Sequence, residues 1–346
     1  MSATARLVDR RPHLTGADLL TRLVPPRRFA AARFATYIPD PAHPTQAAAL
    51  AEMEGFTASV GEPREAKSRW SRKPRAVEQG SAARYLDGGY GVGKTHLLAA
   101  AWHEAPAPKS YLTFAELAGI IGFLGMEPAI EAFRTHRLLC IDEFELDDIA
   151  QTLMTVTFLR AVIGAGVKVV ATSNSLPDRL GEGRFAADDF TREIAAIAAH
   201  FQVVRIDGPD YRAKARVEAE PFAPHELDAM LQTLVDGGAA ASDDDFEALI
   251  AHLRVVPPVQ VAAALEGLDA VVVRGFVPLE NQGAAVLFVH LIDEIYDSGL
   301  TFVASGCAIT ELFSPSYRRG GYRKKYGRCE SRLAALLGEA RVATRS

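Results

Sequence analysis

The chain has 346 residues, of which 49% are hydrophobic and 23% are charged, and its formal net charge is −5. This composition is that of an ordinary globular protein, and it excludes a disordered chain, a collagen and a disulfide-stapled miniprotein. The length indicates about two domains. The slightly acidic balance does not favour a nucleic-acid coat protein, although a local basic patch is compatible with it.

The three cysteines, Cys140, Cys307 and Cys329, lie far apart and form no CxxC pair. We therefore expect neither a zinc site nor a redox dithiol, and this usage fits a reducing compartment. The sequence has no apolar run of about 18 residues and no secretory signal. We expect a cytoplasmic protein whose contact with a membrane is at most peripheral.

Three regions follow one another along the chain. Residues 1–82 are an N-terminal entry segment that contains a polar, basic loop at 61–80. Residues 83–220 alternate short apolar runs with helical patterns, which is typical of a parallel α/β sheet. Residues 221–346 form a smaller, mainly helical, lid-like region with a basic tail. The sequence shows no internal repeat.

The middle region is predicted to contain five strands and four helices. The predicted strands are Arg84–Asp87, Ser110–Thr113, Arg137–Ile141, Val167–Thr172 and Gln202–Ile206. The predicted helices are Lys94–His103, Phe114–Leu124, Asp148–Ile163 and Asp188–Ala199. Elsewhere, Thr45 is expected near a helix N-cap and Ser242–Asp245 at a capped helix start. A helix over Val286–Tyr296 and a strand over Leu300–Ala304 follow.

The strongest functional signal follows the first predicted strand and consists of Gly88, Gly89, Tyr90, Gly91, Val92, Gly93, Lys94 and Thr95. It matches the complete G-x-x-x-x-G-K-[ST] pattern of a phosphate-binding loop. Glycines let backbone N–H groups approach phosphate oxygens, Lys94 can reach the β- and γ-phosphates, and Thr95 can bind Mg²⁺. His96 opens the following helix, whose N-terminus favours phosphate. We therefore expect residues 88–96 to bind a nucleotide.

A second signal is the apolar strand that ends in Asp142 and Glu143. Ligands of open α/β sheets bind at the carboxyl ends of the strands, where these two side chains are expected. Asp142 would hold Mg²⁺ directly or through water, and Glu143 would orient the attacking water. Cys140, within the same strand, is interpreted as a small core residue rather than a nucleophile.

A third apolar strand ends in small polar residues and then Asn174, whose amide could contact the γ-phosphate or the lytic water. The alternative is an ordinary strand-terminating asparagine. An arginine shortly afterwards can complete the site of a neighbouring subunit as an arginine finger. Arg184 is the first candidate, before Arg179 and Arg192, and each of them may equally be an ordinary surface arginine.

Taken together, these elements predict an α/β P-loop NTPase of the AAA+ type, with five parallel strands flanked by helices and a smaller, mainly helical C-terminal region. The strand that precedes the P-loop is expected at the centre of the sheet. Glu143, which follows Asp142 directly, and the polar Asn174 distinguish this module from simple nucleoside kinases. The expected cofactors are ATP and Mg²⁺. Arginine-finger chemistry implies a homo-oligomer, because one subunit completes the site of the next.

The chain resembles the ZapE family of cell-division ATPases and their mitochondrial relatives. The matching stretches are Arg28–Tyr37, Pro44–Gln46, Tyr85–Leu98, Cys140–Phe144, Thr172–Asn174, Asp210–Arg212, Leu291–Asp297 and Ser331–Leu333. The resemblance implies an ATPase that acts on the FtsZ division ring and destabilises its polymers in the presence of ATP. The mitochondrial relatives resemble protein quality-control factors.

Two stretches depart from the family pattern. Val286 and Leu287 replace a basic pair that usually precedes the late helix, and residues 322–328 are basic where the family is rich in aromatic residues. The second stretch could contact an anionic partner, or it could be an ordinary solvated surface.

Two other functions remain open. A helicase-loader or initiator-type protein would act on nucleic acid through a basic groove, which only segments 64–75 and 318–328 could supply. We do not expect nucleic acid as the partner. A non-hydrolysing adaptor would bind ATP as a switch, but such proteins lack the water-positioning glutamate that Glu143 provides here.

Overall fold

The computed structural model describes residues 4–61, 82–146, 149–177, 180, 191–209, 220–320 and 322–343. The chain forms two compact units. The P-loop unit comprises Thr15–Pro25 and Phe29–Asp210, and the C-terminal unit comprises Met1–Leu14, Pro26–Arg28 and Tyr211–Ser346. The predicted basic loop, apart from Gly61, lies outside the described residues, as does the stretch Asp210–Arg212.

Five parallel strands form the sheet of the P-loop unit, in the order β2-β3-β4-β1-β5. They are β1 (Ala83–Gly88), β2 (Lys109–Thr113), β3 (Leu138–Asp142), β4 (Lys168–Ser173) and β5 (Phe201–Ile206). All five predicted strands and the predicted fold class are confirmed. We expected β1 at the centre of the sheet, but β4 is central and β1 lies between β4 and β5. The reason is that the chain crosses to the far edge to form β2, so that β3 and β4 fill the space in between.

The described residues of this unit form seven α-helices. They are α1 (Gly16–Thr21), α2 (Pro44–Ala58), α3 (Lys94–Glu104), α4 (Phe114–Leu124), α5 (Met126–Phe133), α6 (Ile149–Ala165) and α7 (Thr191–Ala198). Helices α3, α4, α6 and α7 confirm the four predicted ones, although the predicted starts at 148 and 188 lie outside the described residues. Helix α5 was not predicted. Gly125, with a φ of 89°, separates it from α4.

The start of α2 agrees with the prediction, because Thr45 lies two residues after the N-cap. His43 occupies the N-cap, and Pro44 takes the first helical position, where its missing N–H costs nothing. The Thr45 hydroxyl accepts the backbone N–H of Asp207 at 2.9 Å. Thr45 therefore fastens the start of α2 to the residue that follows β5.

Strand β3 is fully buried, which explains its unbroken apolar run. Leu138, Leu139, Cys140 and Ile141 have no exposed surface. A parallel strand covered by helices on both faces has no polar side, so no alternation is expected. Burial raises the pKa of the Cys140 thiol, and the interpretation of this residue as part of the core is confirmed.

The C-terminal unit contains a second parallel sheet, of three strands in the order β6-β7-β8. The strands are β6 (Ala241–Asp245), β7 (Ala270–Phe276) and β8 (Thr301–Gly306). The helices are α8 (Pro224–Asp236), α9 (Phe246–Leu253), α10 (Val261–Leu265), α11 (Gln282–Ser298), α12 (Ile309–Leu312) and α13 (Arg323–Ala343). In the described part of the chain, no helix has both the length and the apolar character needed to cross a bilayer.

The stretch Ser242–Asp245 was predicted to start a helix, but it forms most of β6. Only Asp245 acts as an N-cap, by accepting the N–H of Ala248 at 3.0 Å. Asp244 is buried and accepts the backbone N–H groups of Leu7 and Val8 at 2.9 and 3.1 Å. Asp243 accepts a hydrogen bond from the Arg274 guanidinium at 2.6 Å. The three consecutive acids therefore have different structural partners, which a charge pattern alone could not reveal.

The N-terminal residues extend the edge of each sheet. Ala5 exchanges backbone hydrogen bonds with β6: its N–H donates to Ala241 and its carbonyl accepts from Asp243, both at 3.0 Å. In the P-loop unit, the carbonyl of Leu23 accepts the N–H of Tyr111 in β2 at 2.9 Å. One edge strand of each sheet, β2 or β6, is thereby partly paired rather than open to other chains.

The two late stretches that carry the family resemblance lie on contacting helices, Leu291–Asp297 in α11 and Ser331–Leu333 in α13. Asp293 is buried and pairs with Arg328 at 2.5 Å and with Arg332 at 2.7 Å. Burial by itself would raise the pKa of Asp293, but the two guanidinium charges outweigh it, and the pKa lies below its ordinary value of 3.8. Arg328 and Tyr326 are buried, so this part of the basic stretch 322–328 is not a solvated surface. Val286 and Leu287 pack against the hydrophobic core of the unit.

We expect the substitution Asp293→Asn to lower the free energy of unfolding by about 3–5 kcal/mol, because it leaves two buried guanidinium groups without their carboxylate. Denaturant unfolding at pH 7 measures the loss, and Glu247→Gln, at an exposed acid of the same unit, is the control. Since the pKa of Asp293 is lowered on folding, its contribution is present above pH 4 and disappears as the pH falls further. Equal stability of the two variants at pH 7 would contradict this role.

Candidate nucleotide-binding site

The phosphate-binding loop connects β1 to α3, and glycine is required at several of its positions. A Cβ atom at Gly88 would lie 2.2 Å from the carbonyl oxygen of Ile206 in β5. Gly91 and Gly93 have φ values of 64° and 94°, which favour glycine. The backbone N–H groups at the start of α3 therefore face the loop without an intervening side chain, which is how a helix N-terminus binds an anion.

The segment before β1 packs against the other side of this loop. The Tyr37 hydroxyl donates to the carbonyl of Val92 at 3.1 Å, and its ring would block a Cβ at Gly93. His96 contacts the Thr36 hydroxyl and the Arg33 carbonyl at 3.1 and 3.0 Å. Burial raises the pKa of Tyr37 to about 12, so this phenol stays protonated.

Lys94 lies at the centre of the site. Its ammonium group donates to the carbonyls of Gly88 and Gly89 at 2.8 and 2.5 Å and to the side-chain oxygen of Asn174 at 2.9 Å. Two sequence signals that are 80 positions apart therefore meet at one charged nitrogen. The end of β1 is also fixed to the chain beyond Asn174, because the Tyr85 hydroxyl donates to the carbonyl of Ser175 at 2.7 Å.

Asp142, at the end of β3, is 4% exposed and receives hydrogen bonds from two neighbouring strands. The Tyr111 hydroxyl in β2 donates to one carboxylate oxygen at 2.7 Å, and the Thr172 hydroxyl in β4 donates to the other. The Thr95 hydroxyl lies 3.5 Å from that second oxygen. A carboxylate held in this way keeps one orientation toward the first turn of α3.

Glu143 adopts a left-handed backbone conformation, with a φ of 53°, which is uncommon for a residue with a side chain. Its N–H donates to Asp142 at 3.0 Å and to the Thr172 hydroxyl at 3.1 Å. The next residue, Phe144, is fully buried, with ring centroids 4.9 Å from Phe114 and 5.9 Å from Phe201. The buried aromatic ring and the hydrogen bonds impose this conformation, which turns the chain at Glu143.

A second group of polar contacts lies beside the loop, around Gln46 of α2. Its amide donates to the carbonyl of Asp207 at 3.0 Å and accepts the N–H of Asp40 at 2.8 Å. Gly208, with a φ of 154°, lies so close that a Cβ there would be 2.5 Å from the Gln46 amide nitrogen. Gln46 thus joins the segment before α2 to the end of β5.

These residues fit a magnesium–nucleotide complex. Mg²⁺ prefers oxygen ligands at about 2.0–2.1 Å, and the hydroxyl of Thr95 and the carboxylate of Asp142 are such ligands at a separation that two bonds of this length can span. Glycine backbone at the start of α3 and the ammonium of Lys94 suit phosphate oxygens. The described residues include no cluster of three or more His, Cys, Asp or Glu side chains that could hold a metal ion.

The structure brings Lys94, Thr95, Asp142, Glu143 and Asn174 together at the carboxyl edge of β1, β3 and β4. The side chain of His96, by contrast, contacts residues 33–36. Arg184 and Arg179 lie outside the described residues, and Arg192 is an exposed residue of α7.

Sequence reasoning assigned no role to Tyr111 or to the Thr172 hydroxyl, although both hold Asp142. A signal was present for Tyr111, because a phenol within a buried strand needs a polar partner. Thr172 was recognised only as part of a polar strand end.

We expect Gly88→Ala to destabilise the fold by about 1–3 kcal/mol and to abolish nucleotide binding, because the new methyl group overlaps the Ile206 carbonyl. Gly89→Ala is the matched control, since a Cβ at Gly89 meets no atom within 4 Å. Denaturant unfolding and the binding of a fluorescent nucleotide measure the two effects. Equal behaviour of both variants would show that close packing at Gly88 does not shape the loop.

Parts of this chain are similar in sequence to known proteins. The Cell division protein ZapE of Escherichia coli (strain K12) is 29% identical over 162 residues, which are 43% of this chain and 43% of the relative. The Lactation elevated protein 1 homolog B of Danio rerio is 28% identical over 115 residues, which are 31% of this chain and 23% of the relative. The matches thus cover less than half of the curated relatives.

Among solved structures, a replication initiator DnaA bound to AMPPCP and single-stranded DNA has a TM-score of 0.40 and 11% identity, covering 91% of this chain and 92% of that one. A TM-score below 0.5 does not establish a common fold, so the fold assignment rests on the strand order and the P-loop. The sequence model of the AFG1-like ATPase family, in contrast, matches residues 15–252 and 232–344. Since these ranges include most of the chain, it belongs to the AFG1-like ATPase family.

Proposed function

We propose that the protein hydrolyses ATP in a Mg²⁺-dependent reaction and uses the nucleotide cycle to remodel a protein partner. The observation that carries this proposal is the convergence of Lys94, Asp142, Glu143 and Asn174 at one edge of the sheet. Phosphoryl transfer to water requires positioning and neutralisation of charge rather than covalent catalysis. This small set of side chains can supply both.

Each residue has a distinct role in this mechanism. Thr95 and Asp142 hold Mg²⁺, which neutralises charge on the phosphates when it is bound. Tyr111 and Thr172 fix the Asp142 carboxylate, and such partners of a metal ligand typically affect metal affinity 10- to 100-fold. The carboxylate of Glu143 orients the attacking water and polarises it.

The contact between Lys94 and Asn174 suggests how the site responds to nucleotide. The Lys94 ammonium now donates to the Asn174 side-chain oxygen and to two loop carbonyls. A phosphate group competes for the same three N–H bonds, because an anion binds an ammonium more strongly than an amide oxygen does. Nucleotide binding then releases the Asn174 amide to orient water or to contact the γ-phosphate.

The base is proposed to lie beside the segment 37–46. Tyr37 contacts the phosphate-binding loop through Val92, and Gln46 fixes the end of β5 on the same side. Ile38 follows Tyr37 and is 88% exposed, which is unusual for so large an aliphatic side chain. A planar base would cover part of this apolar surface.

The partner is proposed from the relatives. The Escherichia coli relative is named as a cell division protein, and the resemblance noted above implies action on FtsZ polymers. FtsZ is therefore the first candidate substrate, and the division site in the cytoplasm is the proposed location.

We expect Glu143→Gln to retain ATP binding and to lose at least 100-fold in turnover, since the amide cannot polarise water. Steady-state ATP hydrolysis by the purified chain, with Mg²⁺ and then with an excess of EDTA, measures the effect. Turnover that survives in Glu143→Gln would assign the water-positioning role to another residue. Tight ATP binding by the parent chain without any turnover would favour a switch protein.

The same assay with assembled FtsZ tests the partner. Stimulation of turnover by the polymer, absent in Glu143→Gln, is the expected result. Turnover that ignores FtsZ but rises with single-stranded nucleic acid would replace the proposed partner by nucleic acid.

We further propose that the chain forms a homo-oligomer in which Arg184 completes the site of a neighbouring subunit. Arg184→Ala and Glu143→Gln are each expected to be nearly inactive alone. An equimolar mixture is expected to regain part of the turnover, because an intact Arg184 then faces an intact Glu143 in some interfaces. Mixing Arg192→Ala with Glu143→Gln is the control, and a mixture that shows only the sum of both residual activities would exclude Arg184 as the finger.

A further inference from the structure

The two units contain the same series of elements. The order β2-α4-α5-β3-α6-β4 of the P-loop unit recurs as β6-α9-α10-β7-α11-β8 in the C-terminal unit, where a short 3-10 helix, Pro258–Gln260, is added before α10. Both runs form parallel sheets in which the strands are neighbours in chain order. We call residues 108–173 the first repeat and residues 240–306 the second repeat.

Three of the six pairs of elements agree in length: strands β2 and β6 both have five residues, helices α6 and α11 both have 17, and strands β4 and β8 both have six. The other three pairs, α4 and α9, α5 and α10, and β3 and β7, differ by two or three residues. The starts of β2, α4 and β3 precede those of β6, α9 and β7 by 132 residues, and the starts of α6 and β4 precede those of α11 and β8 by 133. Two unrelated βαβ arrangements would not keep five starts in such similar spacing.

Individual contacts are repeated as well. The Glu143 N–H bonds the Thr172 hydroxyl at 3.1 Å, and the Gly275 N–H bonds the Ser305 hydroxyl at 3.2 Å. Both residues have positive φ, 53° and 75°. The rings of Phe114 and Phe144 are 4.9 Å apart at 57°, and those of Phe246 and Phe276 are 4.9 Å apart at 60°. Three backbone hydrogen bonds, from an N–H to a carbonyl, also recur at equivalent positions. In the first repeat they run from Arg137 to Pro108, from Lys168 to Arg137 and from Val167 to Val162. In the second repeat they run from Asp269 to Ala240, from Thr301 to Asp269 and from Leu300 to Ile295.

The elements around the repeats also correspond, with one deletion. Helices α3 and α8 end at Glu104 and Asp236, which keeps the spacing of 132. Leu86 of β1 pairs with Thr172, and Phe222 pairs with its counterpart Ser305. Seven residues separate Leu86 from α3, whereas Ala223 alone separates Phe222 from α8. The second repeat therefore lacks room for a phosphate-binding loop.

The metal-binding chemistry is replaced in the second repeat. Arg274 stands where the first repeat has Asp142, and Asp243 stands where it has Tyr111. The Arg274 guanidinium pairs with Asp243 at 2.6 Å and also with Asp228 of α8 at 2.7 Å. The position of Asn174 is taken by Cys307. The second repeat thus has the positively charged Arg274 side chain at this position, and the carboxylates of Asp228 and Asp243 balance its charge.

We infer that the C-terminal unit is a second, nucleotide-free version of the P-loop core, in which the guanidinium of Arg274 takes the position that a metal-binding carboxylate occupies in the first. Each chain therefore holds one nucleotide, a count that rests on the proposed function. The equivalence of the positions of Asp142 and Arg274 does not rest on it. The sequence itself shows no internal repeat, because the two repeats agree in element order, spacing and contacts rather than in residue type.

Titration of the full chain with the fluorescent nucleotide mant-ADP and Mg²⁺, at protein concentrations well above the dissociation constant, tests the count. One nucleotide per chain is expected, with none bound by Lys94→Ala. Arg274→Ala is expected to bind with unchanged affinity and an unchanged requirement for Mg²⁺, whereas Asp142→Ala loses the requirement. Two nucleotides per chain, residual binding in Lys94→Ala, or an altered Mg²⁺ requirement in Arg274→Ala would overturn the inference.

The shared turn provides a test that needs no nucleotide. Gly275→Ala is expected to raise the unfolding equilibrium constant about fivefold, because a side chain at positive φ is strained. Glu143→Gly is expected to be about fivefold more stable than Glu143→Ala for the same reason. Gly164→Ala, at an open helical position, is the control that alanine should not destabilise. Equal stability of Glu143→Gly and Glu143→Ala would overturn the equivalence of the two turns, whether or not the chain hydrolyses ATP.

Discussion

The geometry of the P-loop unit depends on the carboxylate of Asp142. Tyr111 from β2, Thr172 from β4 and the N–H of Glu143 all donate to it, so three adjacent strands are connected at a single buried charge. Hydrogen bonds to charged groups contribute about 1.5–3 kcal/mol each, and a buried carboxylate without them would be strongly unfavourable. The position of Thr95 relative to the strand ends, and hence of any ion held there, follows from this arrangement.

The residue after Asp142 shows how function and stability compete at this edge. Both repeats turn the chain with the same hydrogen bond, in which a backbone N–H donates to a hydroxyl oxygen. The turn of the second repeat uses glycine, which adopts positive φ without strain. The turn in the P-loop unit keeps a glutamate there, at a cost that the buried Phe144 ring and the hydrogen bonds must offset. A strained residue with a carboxylate, in a turn where glycine would be favourable, indicates selection for the side chain.

Much of the P-loop unit could be predicted from the sequence, since its strands are unbroken apolar runs and its loop has a specific motif. Helix α5 was missed because Gly125 interrupts the helical pattern, and β6 was missed because three acids rarely form a strand. The partners of Asp243 and Asp244 are Arg274 and the backbone of residues 7 and 8, which no local pattern can identify. The repeat was invisible for a related reason. Equivalent positions hold chemically different residues, as with Asp142 and Arg274 or with Tyr111 and Asp243. The two repeats are therefore similar in spacing and hydrogen bonds but not in residue type.

The pairing of Ala5 with β6 has a consequence for how the protein is made. Residues 5, 7 and 8 are synthesised more than 230 residues before their hydrogen-bond partners Ala241, Asp243 and Asp244. At about 5–20 residues per second, this segment remains without its partners for more than about ten seconds, while the strands of the P-loop unit emerge and can assemble. The edge of the second sheet is therefore completed only after the whole P-loop unit has been made. A long-range closure of this kind is slow.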